Sequence, residues 1–210
     1  MSKAQPFPTR LPRRSGSLLL STALLFSGSL LAQLPVSREP HHKVIQENPY
    51  YRLLEGKIPA GDTTPAHIHA ANSVVIFLSH STFGIQVIGD KPVITTVSPG
   101  DTKYVAYGDK PVNHLVWNQT ATLFHFYVVE LKKHPPAADS CPLLTRPGIT
   151  LQWQQPSVKA YGLNITGPIH LAKASCARLL IAFTGACQFF PPGTTIDLPS
   201  LGRSILLEIP

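Results

Sequence analysis

Between residues 45 and 131 the chain is a series of short apolar or alternating runs separated by Gly, Pro and Asp, with no sustained helical periodicity. That pattern predicts an all-β sandwich or barrel. Strands are predicted at residues 50–57, 67–70, 73–79, 83–88, 93–97, 102–105, 113–117 and 122–131. Turns fall at Gly89-Asp90-Lys91-Pro92, Pro99-Gly100-Asp101 and Tyr107-Gly108-Asp109-Lys110-Pro111. Eight strands of this length can close into a jelly-roll barrel, which removes exposed sheet edges. Residues 33–44 read as an arm leading to the first strand. Residues 132–150, with two lysines, a double Pro and Arg146-Pro147-Gly148, read as a linker. A second β-rich segment occupies residues 151–210.

The first thirty-two residues have a different character. Lys3, Arg10, Arg13 and Arg14 form a basic start with no acidic residue, and an apolar stretch with small residues runs from Ser17 to Ala32. This is the pattern of a secretory signal peptide cleaved after Ala32. The expectation is a periplasmic or extracellular protein, free of the membrane after cleavage. The formal charge of +7 then falls to +3, because the leader holds four basic residues. No basic cluster interleaved with aromatics remains, so no nucleic-acid partner is expected. Cys141, Cys176 and Cys187 all lie in the second half. Export permits disulfides, but spacing leaves the pairing open, and three buried thiols are an equal alternative.

Histidines carry the candidate chemistry. In His67-Ile68-His69 the two imidazoles fall on one face of a strand, because successive side chains alternate sides. His114 opens a third strand. Three neutral imidazoles converging inside a barrel would hold a divalent transition metal, and they would leave its full charge for an anionic ligand. No nucleophile elbow, phosphate loop or paired-carboxylate arrangement stands out.

The spacing around these residues resembles the cupin superfamily. Gly61, His67 and His69 match its first motif, with Ser73 where the motif has Glu and His80 where it closes on Gly. Gly100, Gly108, His114 and Asn118 match the second motif, with Ala106 in place of Pro and a longer gap before His114. The resemblance covers residues 45–131 and implies a cupin jelly-roll β-barrel over 33–131. Residues 161–165 resemble the strand before the first motif, and residues 178–185 resemble 73–80. Arg178 then takes the Glu slot, while Ala172 and Ala174 fall at the two His positions. This implies a shortened, degenerate second repeat at 151–210 that cannot bind metal.

The resemblance also implies a metal, Fe or Mn first and Zn or Ni as alternatives, on His67, His69 and His114. Three-histidine iron cupins resembling the thiol and diketone dioxygenases lack the Glu, as this chain does. Their likeness suggests oxidation of a small anionic substrate, with His125 or Ser73 in supporting catalytic roles. Val75, Phe77, Val116 and Trp117 are candidate walls. Glu55 could replace the missing carboxylate if it faces inward. Asn118 is expected to satisfy backbone groups in a turn. His41 and His42 belong to the arm, His80 to a strand end, His134 to the linker, and His170 lacks partners. The alternative function is a non-catalytic module binding a small ligand, a sugar or a protein. A homodimer is implied by resemblance alone, since cupins often pair through β-strands.

Overall fold

The structure, a computed structural model, describes residues 33–133, 141–200 and 202–210. The leader and part of the linker lie outside the described residues. Residues Gln33–Pro210 form one compact unit. Among the described residues no helix is long and apolar enough to cross a membrane.

Ten strands make the first half. They are β1 (Leu34–Pro35), β2 (His42–Glu47), β3 (Tyr51–Ile58), β4 (His67–His69), β5 (Ser73–Phe77), β6 (Ser81–Val87), β7 (Val93–Val97), β8 (Thr102–Val105), β9 (Val112–Asn118) and β10 (Phe124–Leu131). They form two five-stranded sheets, ordered β1-β4-β9-β6-β7 and β2-β3-β10-β5-β8. Seven strands follow: β11 (Ile149–Gln155), β12 (Val158–Ile165), β13 (Ile169–Leu171), β14 (Ala177–Ala182), β15 (Cys187–Phe190), β16 (Ile196–Leu198) and β17 (Gly202–Ile209). They form a third sheet, β11-β12-β17-β14-β15, and a two-stranded sheet, β13-β16.

The third sheet repeats the order of the second. β12, β17 and β14 stand where β3, β10 and β5 stand, so the last strand of each half is central and flanked alike. The second half is therefore a shortened copy of the first, with two strands where the first half has a full facing sheet.

Burial explains the apolar run of β10. Phe124, Phe126 and Val128 join Leu54, Ile58, Phe77, Phe83 and Val116 inside the first barrel. Tyr127, Val129 and Leu131 point the other way and pack with Leu53, Ile76, Leu179, Ile181, Ile205 and Leu207 in the core between the second and third sheets. A strand covered on both faces reads as a continuous hydrophobic run rather than an alternation.

Residues 33–44 are not a loose arm. Val36, on a 3-10 turn at Val36–Arg38, is buried in the barrel core. β1 pairs in parallel with β4, bringing Leu34 opposite His67. β2 closes the edge of the second sheet against β3, with a bulge between Val44 and Gln46. That bulge breaks the period-two pattern by which a strand is recognised. In the linker, Cys141 is disulfide-bonded to Cys176 across 35 residues, leaving Cys187 as the free, half-buried thiol among the described residues.

Candidate metal centre

The loop before β4 is clamped to β9. The Thr64 amide donates to the Val116 carbonyl, and the Val116 amide returns a bond to Thr64 Oγ1 at 2.9 Å. Gly61 enters that loop at φ +71°, a left-handed conformation suited to glycine. Asn118 closes the other side. Its Nδ2 donates to the carbonyls of Ile58, Pro59 and Thr122, and its Oδ1 accepts from Thr120, so its role is structural. The matched glycine and asparagine thus fix the relative height of β4 and β9.

With that height set, His67 and His114 are direct cross-strand partners. Their rings lie 4.7 Å apart, and their Nε2 atoms 3.2 Å apart. The His69 ring is 5.1 Å from His67 and 4.9 Å from His114. Four imidazoles gather rather than three. The His42 ring lies 5.0 Å from His67 and 6.0 Å from His69. Donor atoms of His42, His67 and His69 fall within 4.8 Å of one another, a group that His114 meets through His67 and His69. All four histidines are buried.

The donor set fits a transition ion. His67 Nδ1 donates to the Pro65 carbonyl at 2.9 Å, which leaves Nε2 as the lone-pair nitrogen facing the cluster. A bond of that kind fixes the tautomer and orientation of a ligating histidine. Two nitrogens about 2.1 Å from one ion, at tetrahedral or octahedral angles, lie roughly 3.0–3.4 Å apart. The His67–His114 separation falls in that interval. Among the described residues, His69 Nδ1 and His114 Nδ1 are buried without a hydrogen-bond partner. Buried polar atoms are seldom orphaned; an ion on Nδ1 would account for His69, whereas His114 turns Nε2 to the cluster and its Nδ1 stays unpaired.

Electrostatics keep these rings neutral, as metal ligation requires. Burial lowers His67 to about 4, His69 to about 2 and His114 to about 3, and neighbouring imidazoles push the same way. An unfolded histidine titrates near 6.5, so below that pH the unfolded chain takes up protons that the folded chain refuses. Glu39 acts in the same direction. Burial alone would raise its carboxyl, but bonds from His42 and His41 outweigh burial and hold it at about 2. Its contribution is complete above its ordinary 4.5 and fades as pH falls toward 2. The metal-free protein should therefore lose stability as pH drops below about 6.5. With three silent histidines the slope approaches about 4 kcal/mol per pH unit near pH 5 and eases toward pH 4, where His67 itself takes up a proton. His41, which burial would lower but Glu39 and Asp62 raise, works the other way. Denaturant midpoints measured from pH 7 to pH 4 test this, and a flat profile would contradict it.

Beside the imidazoles lies a cavity of about 90 Å³ inside the first barrel. His42, His69, His114 and Tyr107 form its polar end, while Val75, Phe77, Phe83, Phe124 and Phe126 form apolar walls. Lys103 also lines it. Tyr107 stacks on His69, with ring centres 5.0 Å apart. A larger open cavity of about 700 Å³, between Asn72, Gly108, Lys132 and Pro210, contains no imidazole, thiol or side-chain carboxylate.

The other sequence-predicted residues fall as follows. Val75, Phe77 and Val116 line the cavity, but Trp117 does not. It alternates with Val116 to the far side of β9, where it covers Gly84 so closely that a Cβ there would approach the indole to 2.0 Å. Ser73 is buried, yet its hydroxyl is spent on the Ala71 carbonyl at 2.8 Å and it does not line the cavity. His125 does not point into the barrel. It shares a face with Tyr127 and Val129, and its Nε2 meets Glu55 Oε1 at 2.9 Å. Glu55 is thereby also directed away from the imidazoles, toward Lys57 and His125. His42 and Tyr107 were missed from sequence, one assigned to the arm and the other to a turn.

In the second half the position aligned with Ser73 carries a charged side chain. Arg178, which aligns with Ser73, makes a buried ion pair with Glu208 at 2.9 Å, and Tyr161 adds a hydroxyl bond to the same carboxylate. A guanidinium there repels a cation and consumes the carboxylate.

No protein-family model matches the chain, and no curated protein matches it. Solved structures do. The chain is similar to bacterial pirin YhhW of Escherichia coli in complex with nickel(II), at 12% identity over 84% of this chain and 97% of that one, TM-score 0.57. It is similar to AerE of Microcystis aeruginosa, at 14% identity over 82% and 98%, TM-score 0.50. A cupin domain of Bordetella pertussis matches 48% of this chain and 98% of its own length, at 23% identity and TM-score 0.41. The fold is that of the cupin superfamily. Its particular form is a double one, with a complete first barrel and a shortened second repeat.

Proposed function

We propose that this protein is an exported metal-binding cupin that holds one divalent transition ion in its first barrel and presents it to a small anionic ligand. The observation that carries this reading is the buried convergence of His67, His69 and His114, with two ring nitrogens 3.2 Å apart and no carboxylate among them. When bound, such an ion supplies a Lewis-acidic centre with open positions and, if it is iron or manganese, a route to oxygen chemistry. The chain's own residues supply the rest. His67, bonded to Pro65, presents Nε2; the phenylalanine walls exclude water; Lys103 favours an anion at the cavity. A cavity of about 90 Å³ is smaller than the roughly 150 Å³ that accepts benzene. Its size suits a ligand of a few heavy atoms, such as a small carboxylate or thiol, rather than a sugar. Export is supported by the character of residues 1–32, and the Cys141–Cys176 bond suits an oxidising compartment.

The activity we favour is oxygen-dependent oxidation of that small anion. The second reading, a non-catalytic binding module, is supported by the repeat that keeps its sheet order without an imidazole cluster among the described residues. Elemental analysis after native purification should find one transition ion per chain. Oxygen electrode traces of the iron-loaded protein with small carboxylates, thiols and diketones then separate the readings. Uptake with one of them supports the oxidative reading; stoichiometric metal without uptake, or an empty site, supports the module, and an empty site refutes the metal-binding reading.

A further inference from the structure

Resting on that reading, we propose that His42 is a fourth ligand of the same ion, and that Glu39 behind it restores, one residue removed, the carboxylate that the first motif lacks at Ser73. Neither residue belongs to the segment that resembles the two cupin motifs.

Local structure builds this pair. The 3-10 turn at Val36–Arg38 is anchored by buried Val36, and the His42 amide then bonds the Glu39 carbonyl at 3.0 Å. That tight turn brings the two side chains together, with His42 Nδ1 meeting Glu39 Oε2 at 2.5 Å. Nδ1 is thereby committed to the carboxylate, and Nε2 is the nitrogen left for an ion. The ring then lies 5.0 Å from His67, with a donor atom within ligand-sharing distance of both His67 and His69. It faces the same cavity as His69 and His114.

Packing holds that orientation. His42 lies opposite Gly56 on β3, and its ring rests edge-on against Phe126 with centres 5.5 Å apart. A Cβ at Gly56 would come within 2.3 Å of the Phe126 ring, so glycine is what lets that ring lie flat against β3. Glu39 itself is almost fully buried and is held from the other side. His41 donates its backbone amide to Oε2, and its Nδ1 meets Oε1 at 2.7 Å; His41 Nε2 in turn meets Asp62 at 3.0 Å. A carboxylate locked by three donors and aimed at the outer nitrogen of a ligating imidazole is the arrangement that fixes ring orientation and raises ligand basicity. The surrounding donors are all imidazoles, which suits the later first-row ions.

The test uses the metal-free full-length protein titrated with nickel(II) and cobalt(II), followed by X-ray absorption of each loaded form to count imidazoles. The wild type should bind one equivalent with four imidazoles. His42→Phe, which keeps a ring against Phe126, should drop the count to three and weaken binding by about 100-fold or more. Glu39→Gln should keep four imidazoles and weaken binding by roughly 10–100-fold. One equivalent bound by the wild type through three imidazoles, with unchanged affinity in His42→Phe, would overturn the inference while leaving the metal reading intact. Failure of the wild type to bind either ion would overturn both. The imidazole count of the wild type decides the question even if His42→Phe does not fold.

Discussion

Replacing His67 and His69 together by Ala should leave a folded protein that no longer retains stoichiometric metal. The two imidazoles sit on one short strand, both buried, and among the described residues no carboxylate groups with them as a ligand. For the wild type, an ion at about 100 times its dissociation constant stabilises the folded state by about 2.7 kcal/mol. For a chain of this size that corresponds to roughly 5–10 °C in Tm. The double variant should show no metal-dependent rise in Tm and no ion by elemental analysis after dialysis. It should also resist acid better than the metal-free wild type, because two of the three buried neutral histidines that oppose protonation have gone. Retention of one ion per chain in the double variant would refute the assignment.

The second large effect belongs to the other half. Arg178→Met should destabilise the protein by about 3–5 kcal/mol, the cost of stranding one partner of a buried ion pair. Glu208 is fully buried, and without Arg178 its carboxylate keeps the Tyr161 hydroxyl at 3.2 Å as its recorded side-chain bond. Adding Glu208→Leu should return most of the loss, because an apolar pair of similar volume often matches a buried ion pair. Metal stoichiometry should not change in either variant, since the pair lies in the repeat without the imidazole cluster. Urea denaturation of the two variants measures the difference. A cost below about 1 kcal/mol for Arg178→Met would mean that water reaches Glu208 and that the position is not sealed.

Where sequence reading failed, it failed for identifiable physical reasons. His125 and Phe126 alternate on β10, so one of them had to face the barrel. Parity cannot say which when both faces of a strand are buried. The third sheet covers the face carrying His125, Tyr127 and Val129, and that packing settled the matter. Ser73 has the inward parity expected of it, yet a backbone carbonyl two residues earlier takes its proton. His42 was hidden because the bulge after Val44 interrupts the alternation of β2, and because its partners lie 25 and more residues away in sequence. The Cys141–Cys176 bond depends on which strand ends the second repeat brings together, a matter on which spacing is silent.

By itself, then, the order of residues determined the things that are local. The strand-and-turn rhythm follows from backbone preference and period-two patterning, and His67 and His69 share a face because the pleat leaves no alternative. The halves echo one another because corresponding strands carry corresponding apolar runs. Only tertiary structure decided what depends on convergence: that a fourth imidazole and a buried carboxylate join from β2 and the turn before it, that Tyr107 stacks on His69, and that β10 turns its phenylalanines rather than His125 toward the cavity. Those outcomes turn on which surfaces are covered, and coverage is set by sheets closing over one another at long range.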